Sequence, residues 1–337
     1  MNEPQNISSN VIYYRLVALW VLCEAMLGGI IHAAKIPVSG LIVGSCAVVC
    51  ICLIAFYNSA KGAIIKATII VAIFKMMLSP QAPPLAYLAV FFQGATGELF
   101  FWKRNFYRSS CLLLGLIALL ESGLQRIIVL TIVYGNNFWK AINDFINELI
   151  KQKNFTNYSL IIAIIYVLIH IIVGLLMGWW AGTIPKKIAT WKERELSVNS
   201  VTEINVALPS KRKKRKWLKK GVIIIWVCLI LLYCQSYFKI GKQILPSNLP
   251  LQILIRSVII VLAWYFVVGP MISFLVKNWL KKKRLRSKEE IQEVARLLPG
   301  IQKIISSSWA NAKSKKGIKR IDLFAKNILI AILKNDA

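Results

Sequence analysis

The apolar stretch at residues 111–134, CLLLGLIALLESGLQRIIVLTIVY, constrains the fold of this chain most. It is long enough to cross a bilayer, which takes about 20 apolar residues in a helix, yet it contains Glu121, Gln125 and Arg126. Charged side chains at membrane depth are costly, and they usually face a protein interior or a water-filled cavity. Glu121 and Gln125 share one helix face, whereas Arg126 points about 140° away from Glu121. We therefore expect each charge to have a partner on another helix.

The chain as a whole is apolar, since 57% of its 337 residues are hydrophobic. Several further runs approach or exceed the length of a spanning helix, which predicts an all-α, polytopic membrane helical bundle. We place about eight transmembrane helices, six plus two, at residues 12–33, 38–56, 62–78, 84–102, 109–135, 158–181, 221–239 and 251–276. Residues 138–146 form an amphipathic stretch that we expect to lie on the membrane surface.

The net charge of +29 is concentrated in two segments. Residues 183–220 hold 12 Lys and Arg against 3 acids, and residues 277–337 hold 16 against 5. Such clusters mark cytoplasmic loops under the positive-inside rule, which puts both termini in the cytoplasm of a bacterial inner (plasma) membrane protein. Attraction to anionic lipid headgroups is a second interpretation. Nucleic acid binding is disfavoured, because no recognition fold accompanies the charge.

The charge pattern also suggests how the chain is divided. The predicted segments are a six-helix membrane unit (1–182), a basic cytoplasmic linker (183–220), a two-helix membrane hairpin (221–276) and a basic amphipathic tail (277–337). In the tail, apolar residues recur at helical spacing over 288–298 and 321–333. We expect Pro299-Gly300 to end the first of these helices.

Catalysis is poorly supported by the sequence. The seven cysteines lie inside apolar runs and are interpreted as packing residues rather than as disulfide or zinc ligands. The chain contains no paired DxxxD acids, and neither HExxH, GxSxG nor the phosphate loop GxxxxGK(S/T) occurs. We therefore predict a protein that is not an enzyme and needs no metal or cofactor. Any ATP-driven step would require a separate ATPase subunit.

The polar residues of the first six spans have two interpretations. In one, Glu24 and Glu121 pair with Lys75 and Arg126 to neutralise the bundle, and Gln125 lies beside Glu121. In the other, a pocket open to the outside binds an anionic group, for which a guanidinium offers bidentate geometry. The candidate substrate-binding residues are His32, Lys75, Tyr87, Gln93, Arg126 and His170. For His170, a hydrogen bond between helices is the alternative.

Small residues recur four apart at Ala25-xxx-Gly29, Gly40-xxx-Gly44 and Gly174-xxx-Gly178. This spacing lets helix backbones approach closely, so each pair is predicted first of all to mark a helix–helix contact.

Three sequence features carry a family resemblance: the outer turn HAAKIPVSG, the Pro-rich outer loop LSPQAPP and the glycine-containing fourth helix FFQGATGELFF. With six spans and an inside N-terminus, residues 12–182 resemble the substrate-binding membrane subunit of energy-coupling-factor (ECF) vitamin transporters. The resemblance implies that residues 35–40 and 79–84 cover a small-molecule site. It also implies that Ala25 and Gly29 contact a scaffold subunit.

The C-terminal half is faintly similar to such a scaffold subunit, whose Ala-Arg motifs grip the ATPases. Ala295-Arg296 would then couple to that partner. The leading prediction is a transport component that captures a small anionic, vitamin-like metabolite and is energised by ABC-type ATPase subunits in trans. The alternative is a membrane scaffold or assembly protein whose basic tail binds partners or anionic lipid. A membrane-embedded transferase is the third hypothesis. It is disfavoured because it would need an acidic metal-binding motif, which the sequence lacks.

Overall fold

The computed structural model describes residues 3–29, 39–79, 82, 84–103, 106–150, 157–195 and 249–333. In these residues the regular structure is helical and no strand occurs. The helices are α1 (Glu3–Val21), α2 (Ser39–Tyr57), α3 (Ala63–Leu78), α4 (Pro84–Phe100), α5 (Tyr107–Tyr134), α6 (Asn136–Ile150), α7 (Tyr158–Glu195), α8 (Leu249–Ala263), α9 (Gly269–Arg286), α10 (Lys288–Asn311) and α11 (Ile318–Leu333). Two π-helical turns, Leu22–Leu27 and Trp264–Val268, directly follow α1 and α8.

Five stretches in the described part are helical, long and apolar enough to cross a membrane. They are Asn10–Leu27, Ser39–Tyr57, Tyr107–Tyr134, Tyr158–Ile188 and Ser257–Leu285. The prediction of an all-helical chain compatible with an integral membrane protein is confirmed at this level. The helices α3 and α4 match the predicted third and fourth spans, but at about 25 Å each they are short for a hydrocarbon core of about 30 Å. Residues 221–239 lie outside the described residues, so the count of eight stays a prediction.

The described residues form two compact units. One comprises those within Met1–Ser122, His170–Val206 and Lys277–Ala337, and the other those within Gly123–Ile169 and Ala207–Val276. The boundary between them passes through α5 and α7. The division of the sequence into four segments at residues 182, 220 and 276 stays a prediction.

Glycines let helices of the first unit approach closely. An added Cβ at Gly40 would meet the Ser122 hydroxyl, and one at Gly44 would lie 2.8 Å from Leu119 Cδ2, so α2 packs on α5 through the predicted small-residue pair. An added Cβ at Gly115 would meet the backbone of Gly174 and Gly178 on α7. Both close contacts were predicted from the four-residue spacing, and the structure contains both.

Helix α7 is longer than the predicted sixth span, which was expected to end at residue 181. It continues through Pro185 to Glu195. Proline inside a helix costs roughly 3 kcal/mol, but burial of one isoleucine side chain returns about 1.5–3 kcal/mol. Ile184 and Ile188 are both buried, so packing of this face sustains the helix past the proline.

The expected helix end at Pro299-Gly300 is wrong, because α10 runs through both residues to Asn311. The buried residues Ile291, Val294 and Ile301 lie on both sides of the proline and pack against the α1 side of the unit. Pro299 is exposed, so its ring does not disturb the packing of the buried face. Burial of the same face before and after Pro299 therefore outweighs the lost backbone hydrogen bond.

Helix α10 runs parallel to α1. At one end the Glu290 carboxylate pairs with Lys66 at 2.6 Å, near Tyr14 of α1. At the other, the Gln302 amide lies 3.1 Å from Met26 Sδ. The separations Tyr14 to Met26 and Glu290 to Gln302 correspond to the same rise of about 18 Å along each helix. The basic segment 277–337 thus includes a helix, α10, that packs lengthwise on the candidate membrane span Asn10–Leu27.

In the second unit, the predicted amphipathic stretch is helical as α6 and follows α5 after Gly135, whose φ is +73°. The Trp139 indole N–H donates to Thr131 Oγ at 3.1 Å and ties α6 to α5. The Asn143 side-chain oxygen accepts from the Ser159 N–H at 2.7 Å, which satisfies a free amide in the first turn of α7. The side chains of α6 are all at least partly exposed, as a surface helix requires.

Candidate functional site

A buried ion pair joins three helices of the first unit. Glu24 follows α1 and Lys75 lies in the last turn of α3; their side chains are 4% and 7% exposed, and Lys75 Nζ is 2.7 Å from Glu24 Oε2. The ammonium also donates to the Ala86 carbonyl on α4, at 3.2 Å. A buried charge is tolerated only when it is paired and hydrogen-bonded, and both conditions are met here.

Glu24 lies in the π-helical turn Leu22–Leu27. The Gly28 N–H bonds to the Cys23 carbonyl five residues earlier, which is the π pattern. Ser79, which follows α3, donates its hydroxyl proton to the Ala25 carbonyl at 2.7 Å. The turn and the end of α3 are therefore joined by this hydrogen bond as well as by the ion pair. Single π turns inside α-helices occur frequently at functional sites.

Three buried polar atoms in the same helices have no hydrogen-bond partner among the described residues: Trp20 Nε1, Tyr87 Oη and Gln93 Oε1. Their residues are 0%, 6% and 3% exposed. Trp20 is one helical turn before Glu24, and Tyr87 directly follows Ala86, whose carbonyl binds Lys75. An unsatisfied buried polar group costs about 1–3 kcal/mol, and most native groups are paired. Each of these three atoms therefore keeps an unused hydrogen-bonding group within the described part of the bundle.

Gln93 lies deeper in the bundle than Lys75. From Ala86 to Gln93 the rise along α4 is about 10 Å. The Gln93 amide faces Gly44 on α2, because an added Cβ at Gly44 would be in ordinary contact with Gln93 Nε2, at 3.6 Å. The polar groups thus extend from the ion pair along one side of α4.

The predicted residues on α5 are placed differently. Glu121 is half-buried, and its Oε2 is buried without a partner among the described residues. Gln125 is half-buried, whereas Arg126 is exposed and belongs to the second unit, where it interacts electrostatically with Tyr166. Lys75 and Arg126, which were expected to bind one anion, are therefore in separate units.

Of the remaining predicted residues, some are buried, some are exposed and some lie outside the described residues. His170 is buried on α7, and Ala25 is buried beside Ser79. Gly29 is half-buried, and its Cβ position is 3.3 Å from Ser79 Oγ. Ala295 and Arg296 are exposed on α10. His32, with most of residues 35–40, lies outside the described residues.

Sequence reasoning missed two contributors. Trp20 was read only as part of an apolar run, although its four-residue spacing from Glu24 could have drawn attention to it. Glu98 is not among the sequence candidates, but its carboxylate accepts from the N–H groups of Gly62 at 2.6 Å and Ile64 at 3.2 Å. It therefore caps the N-terminus of α3, where a negative charge is favourable. By holding α3, Glu98 helps to position Lys75.

The described residues contain no group of three or more His, Cys, Asp and Glu side chains placed to hold a metal ion. No protein-family model, curated protein or solved structure matches the chain. The side chains of the cluster supply one ammonium, one carboxylate, and neutral groups that can donate or accept hydrogen bonds.

Proposed function

We propose that the chain is a membrane transport component that captures a small anionic, vitamin-like metabolite and is energised by ATPase subunits in trans. The observation that carries the proposal is the buried Lys75 ammonium, held between Glu24 and the Ala86 carbonyl. A carboxylate of the substrate would replace Glu24 as its partner, because charge-assisted hydrogen bonds are the strongest available to an ammonium. Tyr87 and Gln93 would orient the rest of the substrate.

Replacement of Glu24 would leave its displaced carboxylate buried without a partner, which is costly for a charge. This carboxylate therefore competes with the anion for Lys75. Arg126 belongs to the other unit and is not among the residues that carry this proposal.

The proposal is tested by equilibrium binding of radiolabelled carboxylate-bearing vitamin and cofactor precursors to the purified full-length protein. Lys75→Met removes the cation and is expected to abolish binding of every hit. Glu24→Gln removes the carboxylate charge that competes for Lys75, and it is expected to bind hits more tightly than the wild type. Lys140→Met removes an exposed lysine on α6 and serves as the control.

Loss of binding must be distinguished from loss of structure, and this requires a variant that lacks both charges but still folds. The double variant Glu24→Leu/Lys75→Met removes both charges, and its folding is checked by its melting temperature. If this variant binds each hit as tightly as the wild type, the site assignment fails.

A second candidate function is a scaffold or assembly protein. It is favoured by the exposed polar side of α10, which includes Arg296 and faces away from α1. Such a protein would copurify with other membrane subunits and bind no metabolite. Loss of those subunits on Arg296→Glu, with none lost on Lys140→Glu, would support it.

A further inference from the structure

An apolar groove lies where α4 ends and α5 begins in the first unit. Its volume is about 460 Å³. The large side chains Leu99, Trp102, Phe106 and Leu113 line it, and all four are exposed. Phe106 and Leu113 are seven residues apart, with the small Ser109 between them, so the groove follows about 10 Å of the α5 axis. This shape suits a linear apolar chain.

The rim of the groove is positively charged. Lys103 lines the groove, and Lys61 places its ammonium 5.4 Å from the centre of the Trp102 ring. Arg108 is exposed on the first turn of α5. The nearby Glu98 carboxylate is bonded to backbone amides of α3 and does not pair with these cations. The groove thus combines an apolar floor with a cationic, aromatic rim.

We propose that this groove binds an anionic phospholipid, with an acyl chain between Phe106 and Leu113 and the phosphate between Lys61 and Lys103. Tryptophan is enriched at the membrane interface, and Lys and Arg are enriched on the cytoplasmic side. The cytoplasmic leaflet is also the one that carries a negative surface potential. The positive charge of the two lysines favours an anionic headgroup, whereas the apolar groove accommodates the acyl chain. The described residues of 277–337 do not line this groove.

The test measures lipid binding by native mass spectrometry of the full-length protein in detergent with phosphatidylglycerol or phosphatidylcholine. The wild type is expected to retain phosphatidylglycerol preferentially. A basic residue near an anionic headgroup contributes roughly a fivefold gain in affinity. Lys61→Gln and Lys103→Gln are each expected to weaken phosphatidylglycerol binding by about that factor, and the double variant by about 25-fold. Binding of phosphatidylcholine stays unchanged.

The groove and the rim are tested separately. Ser109→Trp fills the groove from an exposed position and is expected to weaken binding of both lipids. Lys140→Gln, an equal charge change on α6, is the control and leaves binding unchanged. The proposal is overturned if the wild type shows no preference, if the double lysine variant keeps it, or if Ser109→Trp binds normally. It is also overturned if soluble glycerol phosphate displaces the lipid at equal concentration, since the acyl chain then contributes nothing.

Discussion

The Glu24–Lys75 pair makes a quantitative prediction about stability. Its side chains are 4% and 7% exposed with a 2.7 Å contact, so removal of either partner leaves a buried, uncompensated charge. Breaking a buried pair in this way costs about 3–5 kcal/mol. Glu24→Leu and Lys75→Met should therefore each lower the free energy of unfolding by that amount, and independent effects would sum to about 6–10 kcal/mol.

The double variant is expected to behave differently. Replacement of both ions by apolar side chains of similar size is often neutral or stabilising. We therefore expect Glu24→Leu/Lys75→Met to lose only about 0–2 kcal/mol, which gives a coupling energy of several kcal/mol. The assay is unfolding in mixed detergent micelles, followed by far-ultraviolet circular dichroism, for all four proteins of the cycle.

A surface pair of the same chain is the matched control. Lys326 and Asp322 are four apart on α11, with side chains 34% and 47% exposed. Exposed pairs of this kind contribute roughly 0.3–0.5 kcal/mol. The equivalent cycle, with Lys326→Met and Asp322→Leu, should show a coupling energy near that size. Equal coupling in the two cycles would refute the argument that burial makes the Glu24–Lys75 pair obligatory.

Three further predictions concern helix ends, helix contacts and solvent exposure. Glu98→Ala removes the cap of α3 and should lower the free energy of unfolding by roughly 1 kcal/mol, measured by denaturant titration; an unchanged midpoint contradicts the capping role. Gly115→Ala places a Cβ against the backbone of α7 and should cost roughly 1–3 kcal/mol, whereas Gly300→Ala, with nothing within 4 Å, should be neutral or stabilising by up to ~1 kcal/mol. In a background without native cysteines, Lys303→Cys on the exposed side of α10 should react with a water-soluble maleimide, and the 55% exposed, apolar Ile172→Cys position of α7 should not. Protection of the Lys303→Cys position would mean that α10 does not face water, and labelling of the Ile172→Cys position would mean that this face of α7 does.

Apolar length and small-residue spacing predicted much of the helical framework. Helices α2, α3 and α4 begin and end close to the predicted spans, because their limits are set by turn and loop residues such as Pro84 that appear in the sequence. A close helix contact at Gly40 was also predicted, since four-residue glycine spacing exposes backbone on one helix face, but its partner α5 was not. These features depend on local sequence alone.

Features that depend on tertiary contacts could not be predicted in this way. Pro299 is a helix breaker by propensity, and only the burial of Ile291 and Ile301 on one face explains why α10 continues. The role of Glu98 depends on the approach of the α3 N-terminus, which lies 36 residues earlier in the chain at Gly62. Nothing in a single helix indicates which amide groups a distant carboxylate will meet.

The intramembrane charges illustrate the same limit at the candidate site. Helical periodicity identified Glu24, Lys75, Glu121 and Arg126 as groups in need of partners, and mutual pairing was one of the two interpretations, but periodicity could not decide which acid meets which base. The assignment depends on the π turn Leu22–Leu27, since bonding five residues apart takes about one more residue per turn and rotates the following side chains relative to an α-helix. In that turn Glu24 meets Lys75, while Arg126 lies in the other unit. The charges on α5 first indicated a polar interior. The two charges that meet, however, are Glu24, in the turn after α1, and Lys75 on α3.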